Sequence, residues 1–155
     1  MAFQTAWRIL GHPQDTEDAV QEALLEAFRL YSRGELRNWA GFLRTAVTCR
    51  SLDRLRQRRA AAPLPEEFPS PLHQMPDQLA QAEELAQWLR SAIARLPPRQ
   101  AEVFSLRYFG ELSNPEIATA LNITSEAVAV TLHKARASLA ALHRATETSI
   151  RSPDK

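Results

Sequence analysis

Three groups of side chains have the types and spacing to bind charged macromolecules rather than to transform a substrate. The first is acidic: Asp15, Glu17, Asp18, Glu22 and Glu26 lie in a stretch without Lys or Arg. The second is basic: Arg50, Arg54, Arg56, Arg58 and Arg59 stand against Asp53 alone. The net charge of the chain is only +1, so the distribution says more than the sum. An acidic helix and a basic helix side by side point to two partners of opposite charge. The third group lies between Leu96 and Leu142. Asn114-Pro115-Glu116 opens a short helix; Asn114 can cap it, and Pro115 in the first turn loses no needed hydrogen bond. Leu121-Asn122-Ile123 is a turn, where Asn tolerates the left-handed conformation. Thr124 or Ser125 caps a second helix with Val128, Leu132, Ala135 and Leu139 on one face. This is the layout of a helix-turn-helix, whose second helix enters a DNA major groove.

Catalytic chemistry has no comparable support. His12, His73, His133 and His143 are scattered, with no metal-ligand spacing among His, Cys and carboxylates, and no nucleophile motif or Gly-rich phosphate loop occurs. The expectation is a protein that is not an enzyme, with no catalytic residues, metal or cofactor. The single cysteine, Cys49, excludes an internal disulfide and reads as a small core residue rather than a redox sensor. No apolar run reaches the ~18 residues of a membrane span. The start, MAFQTAWRILGHPQD, lacks the pattern of a signal peptide. A cytoplasmic protein is expected.

The elements that must position these groups all read as helices. Nothing alternates with period two for long, and the fold class is all-α. Helices are expected over about Ala2–Leu10, from Asp15 or Thr16 to Ser32, over Asn38–Arg59, over Asp77–Arg95 and from Pro98 to Phe109, before the helix-turn-helix. In the second, Val20, Ala23, Leu24, Ala27, Phe28 and Tyr31 recur at helical spacing. In the third the stripe is Trp39, Phe42, Leu43, Ala46, Val47 and Leu55. In the fourth, Leu79, Ala82, Leu85, Ala86, Leu89, Ile93 and Leu96 should face inward. Pro63, Pro65, Pro69, Pro71 and Pro76 are half of the ten prolines and cannot join a helix or sheet ladder. Residues 61–77 are therefore expected to be an extended linker. It separates two small helical modules, 1–60 and 78–143, the second containing the helix-turn-helix and followed by a fraying polar tail, 144–155.

The segments DTEDAVQEALLEAF (15–28) and WAGFLRTAVTCRSLDRLRQRR (39–59), the Pro-rich linker, and LPPRQAEVFSLRYFGELSNPEIATALNITSEAVAVTLHKARASL (96–139), in this order, resemble a sigma factor of the extracytoplasmic-function group, with sigma regions 2 and 4 only. The resemblance implies a subunit that binds core RNA polymerase, directs it to promoters and helps melt promoter DNA. It places Asp15, Glu17, Asp18, Gln21 and Glu22 on the polymerase. It gives the minus-ten element, as duplex and as melted strand, to the third helix and the loop before it: Arg37, Asn38, Trp39, Arg50, Arg54, Arg56, Arg58 and Arg59. Melting needs cations along the backbone and planar groups for unstacked bases; for Trp39 and Phe42, core packing weighs above base contact. The minus-thirty-five element falls to Ser125, Thr131, His133, Lys134 and Arg136, with Lys134 and Arg136 as phosphate contacts and Ser125, Thr131 and His133 in reach of base edges. An anti-sigma protein is an additional candidate partner.

The chain also departs from the family. Its first helix should be shorter than the family's. Family members carry Gly-Thr-Val-Lys-Ser-Arg where this chain has Glu126 to Thr131, so two cations become Ala129 and Thr131. Each lost phosphate contact removes about 0.9 from the salt slope of DNA binding. Phe42 and Cys49 replace a common Trp and Asn. These departures fit a second reading, a sigma-like adaptor without promoter melting; a third, a free-standing helix-turn-helix regulator, has the acidic helix and the Pro-rich linker against it.

Overall fold

The computed structural model describes residues 1–61 and 77–151. The expected linker falls at 62–76, outside the described residues, as do 152–155. The described residues form helices and no strand: α1 Ala2–Leu10, α2 Pro13–Ser32, α3 Trp39–Ala61, α4 Asp77–Arg95, α5 Pro98–Tyr108, α6 Asn114–Leu121 and α7 Ser125–Arg151.

Short-range punctuation sets most boundaries. Gly11, at φ 59°, closes α1 by donating its N–H to the Trp7 carbonyl at 2.8 Å. α2 begins before the expected Asp15, because Pro13 starts the first turn and the His12 ring accepts the Asp15 N–H. Asn38 proves to be the cap of α3: its side-chain oxygen Oδ1 accepts the Gly41 N–H at 3.0 Å. A Cβ at position 41 would lie 2.7 Å from the Asn38 amide, so glycine is what leaves room for that cap. α6 is capped by Ser113, not Asn114, in a reciprocal capping box with Glu116. Asn122 sits at φ 52° and makes the turn. Thr124, not Ser125, caps α7 by accepting the Ala127 N–H at 3.1 Å.

α1, α2 and α3 pack together around Ala6, Ala23, Leu43 and Val47. The buried face of α2 is made of small residues: Thr16, Ala19, Ala23 and Ala27. Leu24, Phe28 and Tyr31, expected among the apolar spacing of this helix, point outward instead, with Leu25. Alanines let helix backbones approach closely, which in turn brings the longer flanking side chains of α2 within reach of α3.

In the second module, α5, α6 and α7 enclose Val103, Leu106, Leu112, Ile117, Val128 and Leu132. α4 joins them only through its second half, by Leu89, Ala92 and Ile93, with Leu96 just after its end. Leu79, Ala82 and Leu85, expected inward, are exposed, since the apolar cluster takes in residues of α4 only from Trp88 onward. The tail expected from 144 is helical through Arg151. Trp88 of α4 supports this extension, resting edge-on against His143 and donating its indole N–H to Thr146 at 3.4 Å.

The modules are not separate bodies. Ile9 of α1 and Leu52 of α3, both fully buried, belong to the same apolar cluster as Ile93, Leu106 and Leu112. Burying two such side chains is worth about 1.5–3 kcal/mol each. Polar contacts border this junction: Thr5 Oγ1 donates to the Phe109 carbonyl at 3.1 Å, Arg90 Nε to the Arg8 carbonyl at 3.2 Å, and Arg56 Nη2 to the Pro98 carbonyl at 3.0 Å.

Candidate functional site

The acidic and basic helices face each other. Arg50 reaches Glu22 at 3.2 Å and also pairs with Glu26; Arg54 reaches Asp18 at 3.4 Å and also pairs with Glu22; Arg58 reaches Asp15 at 3.1 Å. Spacing of three and four residues on α2, and of four on α3, produces this ladder, since residues so spaced lie on one helix face. The hydrogen bond to Glu26 leads the effects that raise the Arg50 pKa above its ordinary value. Much of the charge expected to address two outside partners is thus spent inside the module. Among the five acids of the stretch, Glu17 alone carries no ion pair and faces solvent. Gln21 is exposed beside it.

The other arginines of the basic group differ. Arg56 is half-buried at the module junction, bonded to the Pro98 carbonyl. Arg59 is also half-buried; burial, then the nearby charge of Arg95, lowers its pKa from the ordinary value. Arg37 is exposed in the loop between α2 and α3. Trp39, 40% exposed, meets Tyr31 edge-on at 6.0 Å, so two outward aromatic rings flank that loop. This pair, with Arg37, has the planar and cationic groups that a single strand needs.

On α7, Val128, Leu132, Ala135 and Leu139 are buried as expected from their spacing. His133 and Lys134 are exposed; Ser125 and Thr131 are half-buried. Arg136 Nε donates to the Tyr108 hydroxyl at 2.8 Å, and its guanidinium lies 5.7 Å from the centre of that ring. The α5 aromatic therefore fixes the direction of this cation. Ala129 and Val130 add a neutral patch near the helix start.

The sequence reading missed the outward apolar strip of α2. Leu24, Leu25, Phe28 and Tyr31 are exposed at 40%, 58%, 63% and 62% and run alongside Gln21. Five acids within one helix drew attention to charge; the available signal was that α2 carries both an Ala face and a Leu/Phe face, and one packing partner cannot cover two. Cys49 is half-buried, and its thiol is pushed up to about 11, by burial first and then by Glu102 and Asp53. Among the described residues no group of three His, Cys, Asp or Glu could hold a metal ion, and no helix is long and apolar enough to cross a membrane.

Residues 1–61 match the family model for Sigma-70 region 2, and residues 86–139 match that for Sigma-70, region 4. The chain is 26% identical to the ECF RNA polymerase sigma factor SigW of Bacillus subtilis, an alignment covering 88% of this chain and 80% of that protein. It is 29% identical to the RNA polymerase sigma-E factor of Streptomyces coelicolor, over 88% and 76% respectively. It is 26% identical to the ECF sigma factor SigG of Mycobacterium tuberculosis, over 96% of this chain and 47% of that protein. The two region models, in order, fall on the modules that carry the charge ladder and the helix-turn-helix, and the chain belongs to the sigma-70 family, in its extracytoplasmic-function group.

Proposed function

We propose that this sigma factor, which directs RNA polymerase to promoters, docks on the core enzyme through the outward face of α2, with Glu17, Gln21, Leu25 and Phe28 at its centre. The observation that carries this assignment is the exposure of large apolar side chains next to acids on one helix face. An exposed apolar strip rimmed by charge is the usual composition of a protein-binding surface. Asp15, Asp18 and Glu22 contribute to the acidic field around it, while their carboxylates orient the α3 arginines. An anti-sigma protein would compete for the same strip.

The promoter contacts divide by module. Arg37 and Trp39, with Arg50, Arg54 and Arg58 at the edge of the ladder, address the minus-ten element and its melted strand; Asn38 serves them by capping α3. Ser125, Thr131, His133, Lys134 and Arg136 address the minus-thirty-five element, with Lys134 and Arg136 on phosphates. Because few free cations remain, each DNA contact is weak, and joining both on one polymerase supplies the affinity. The cytoplasm, where polymerase and DNA meet, is the compartment this function requires.

Run-off transcription of fragmented genomic DNA by core polymerase, with and without the protein, tests the reading. New start sites that share two spaced upstream elements are expected. Co-purification with core but no new starts would instead support the adaptor reading.

A further inference from the structure

We infer that the cleft bounded by the end of α1, the last turns of α3 and the middle of α4 is a binding site for a phosphorylated small molecule, with Arg58, Arg59 and Arg90 on its phosphates and Leu10, Leu55 and Ala94 against its less polar body. The cleft has a volume of about 340 Å³, at the lower end of the range for small-molecule sites. Helical spacing builds its two walls. Leu55, Arg58 and Arg59 share one face of α3, and Arg90, Ser91 and Ala94 share one face of α4. An apolar floor with a few placed polar groups is the usual composition of a ligand site. Guanidinium forks match the oxygens of a phosphate group, which they bind through paired hydrogen bonds.

The three arginines are prepared for an anion in different ways. Arg90 is the most fixed, with its side chain only 13% exposed. Its Nε donates to the Arg8 carbonyl at 3.2 Å and its Nη1 to Glu83 at 3.2 Å. A guanidinium has further N–H donors beyond these two. Gly11 makes this seat possible, because a Cβ there would lie 2.5 Å from the guanidinium carbon of Arg90. Arg58 is oriented by Asp15 at 3.1 Å. Arg59 is half-buried and has no ion pair or hydrogen bond among the described residues; burial, then the charge of Arg95, lowers its pKa. A bound anion would relieve such a cation, partly desolvated beside another of like charge. Glu83 is the one acid among the described residues lining the cleft, and Arg90 already engages it.

Calorimetric titration of the protein with ATP, and separately with pyrophosphate, tests the site. Both should bind once per chain, ATP more tightly because its adenosine adds apolar contact. Arg59→Gln should weaken both at least about tenfold, as expected for losing a charged hydrogen-bond partner. Ala94→Phe fills the apolar floor without altering charge; it should weaken ATP about as much and leave pyrophosphate unchanged. Arg33→Gln removes the same charge at an exposed position, at the opposite end of α2 from Asp15, and should change neither. Should Arg59→Gln not fold, Ser91→Glu sets a negative charge in the cleft, and the same losses are expected. No saturable binding of either probe, or equal weakening by Arg59→Gln and Arg33→Gln, would overturn the site. Equal affinity for the two probes would overturn the apolar half of the assignment.

Discussion

Arg54 of α3 and Glu22 of α2 form the middle rung of a ladder, in which Arg54 also holds Asp18 and Glu22 also holds Arg50. Glu22 thus supports two cations, while Asp18 and Glu26 each share one with it, so removing one of these members disturbs its neighbours; Asp15 and Arg58 form a separate rung. Arg54→Ala should lower the stability of the first module by about 1 kcal/mol, at the upper end for partly exposed pairs, and the loss should shrink as salt is raised. Exchanging the pair, Glu22→Arg with Arg54→Glu, should recover little, because Arg50 and Asp18 would then face like charges. Urea titration at two salt concentrations measures both effects.

The same ladder makes charge reversal a poor probe of polymerase docking, since Glu22→Lys would unsettle α3 as well. The outward strip offers a cleaner one. Leu25→Ala and Phe28→Ala remove exposed side chains, so stability should change by no more than about 0.5 kcal/mol. Affinity for core polymerase should fall at least about tenfold for the pair, as for truncated central interface residues. Thermal melting and fluorescence anisotropy against labelled core would separate the two quantities. Unchanged binding would remove α2's strip from the interface.

The Cys49 thiol at about 11 should be nearly inert. At pH 7.5 only about one molecule in several thousand carries the thiolate, so alkylation should run at least about a hundredfold slower than for an ordinary cysteine. A thiol whose folded pKa is raised favours the neutral form. Its contribution to stability is complete below the ordinary value of 9.0 and is lost as pH rises from there toward about 11. Cys49→Ala should flatten the stability profile in that alkaline window.

Much of the helical layout was legible because Gly, Pro, Asn and Ser punctuate it locally: Gly11, Pro97-Pro98 and Asn122 end or begin helices where their own chemistry requires. The helix-turn-helix core, from Ile117 to Leu139, was legible for the same reason and because its apolar period is long. The buried face of α2 was legible only in part, at Ala23 and Ala27. Apolar spacing marks candidates for burial, but Ala19, Ala23 and Ala27 won the interior over Leu24 and Phe28 because small side chains let two helices and a charge ladder coexist. The docking of Ile9 and Leu52 onto the second module was also hidden, since partners a hundred residues apart leave no periodic trace. That docking places Arg56 against a backbone carbonyl, which charge counting alone could not reveal.

Glu116 has its pKa lowered, first by the Ser113 backbone N–H, then by the Ser113 hydroxyl. A carboxylate with a depressed folded pKa adds stability above its ordinary value of 4.5 and loses it as pH falls through the folded value. Glu116→Gln should therefore remove an acid-sensitive part of the helix-turn-helix's stability and leave a flatter profile below pH 4.5. Ser113→Ala should cost about 1 kcal/mol at neutral pH through loss of the cap. Circular dichroism melts across the acid range would show both.

At the start of α7, Ala129 is exposed at a position where the family resemblance implies a cation. Ala129→Lys should restore one phosphate contact, steepening the dependence of log affinity on log salt by about 0.9. Binding of duplex promoter DNA, measured at several salt concentrations, would give the slope directly. A parallel shift without a change in slope would mean the new charge does not meet a phosphate.

α7, Ser125–Arg151, is a rod of roughly 40 Å, and Trp88 touches it at His143 and Thr146, about 27 Å or more along from the Ser125 end that the proposed function gives to DNA. A rod amplifies small rotations: a tilt of about 10° about the Trp88 contact displaces the Ser125 end by about 5 Å over that distance, more than the rise of one base pair. In the proposed promoter complex the indole of Trp88 would therefore act as a rear sight, helping to set the aim of His133 and Lys134 from a contact that lies away from them on α7.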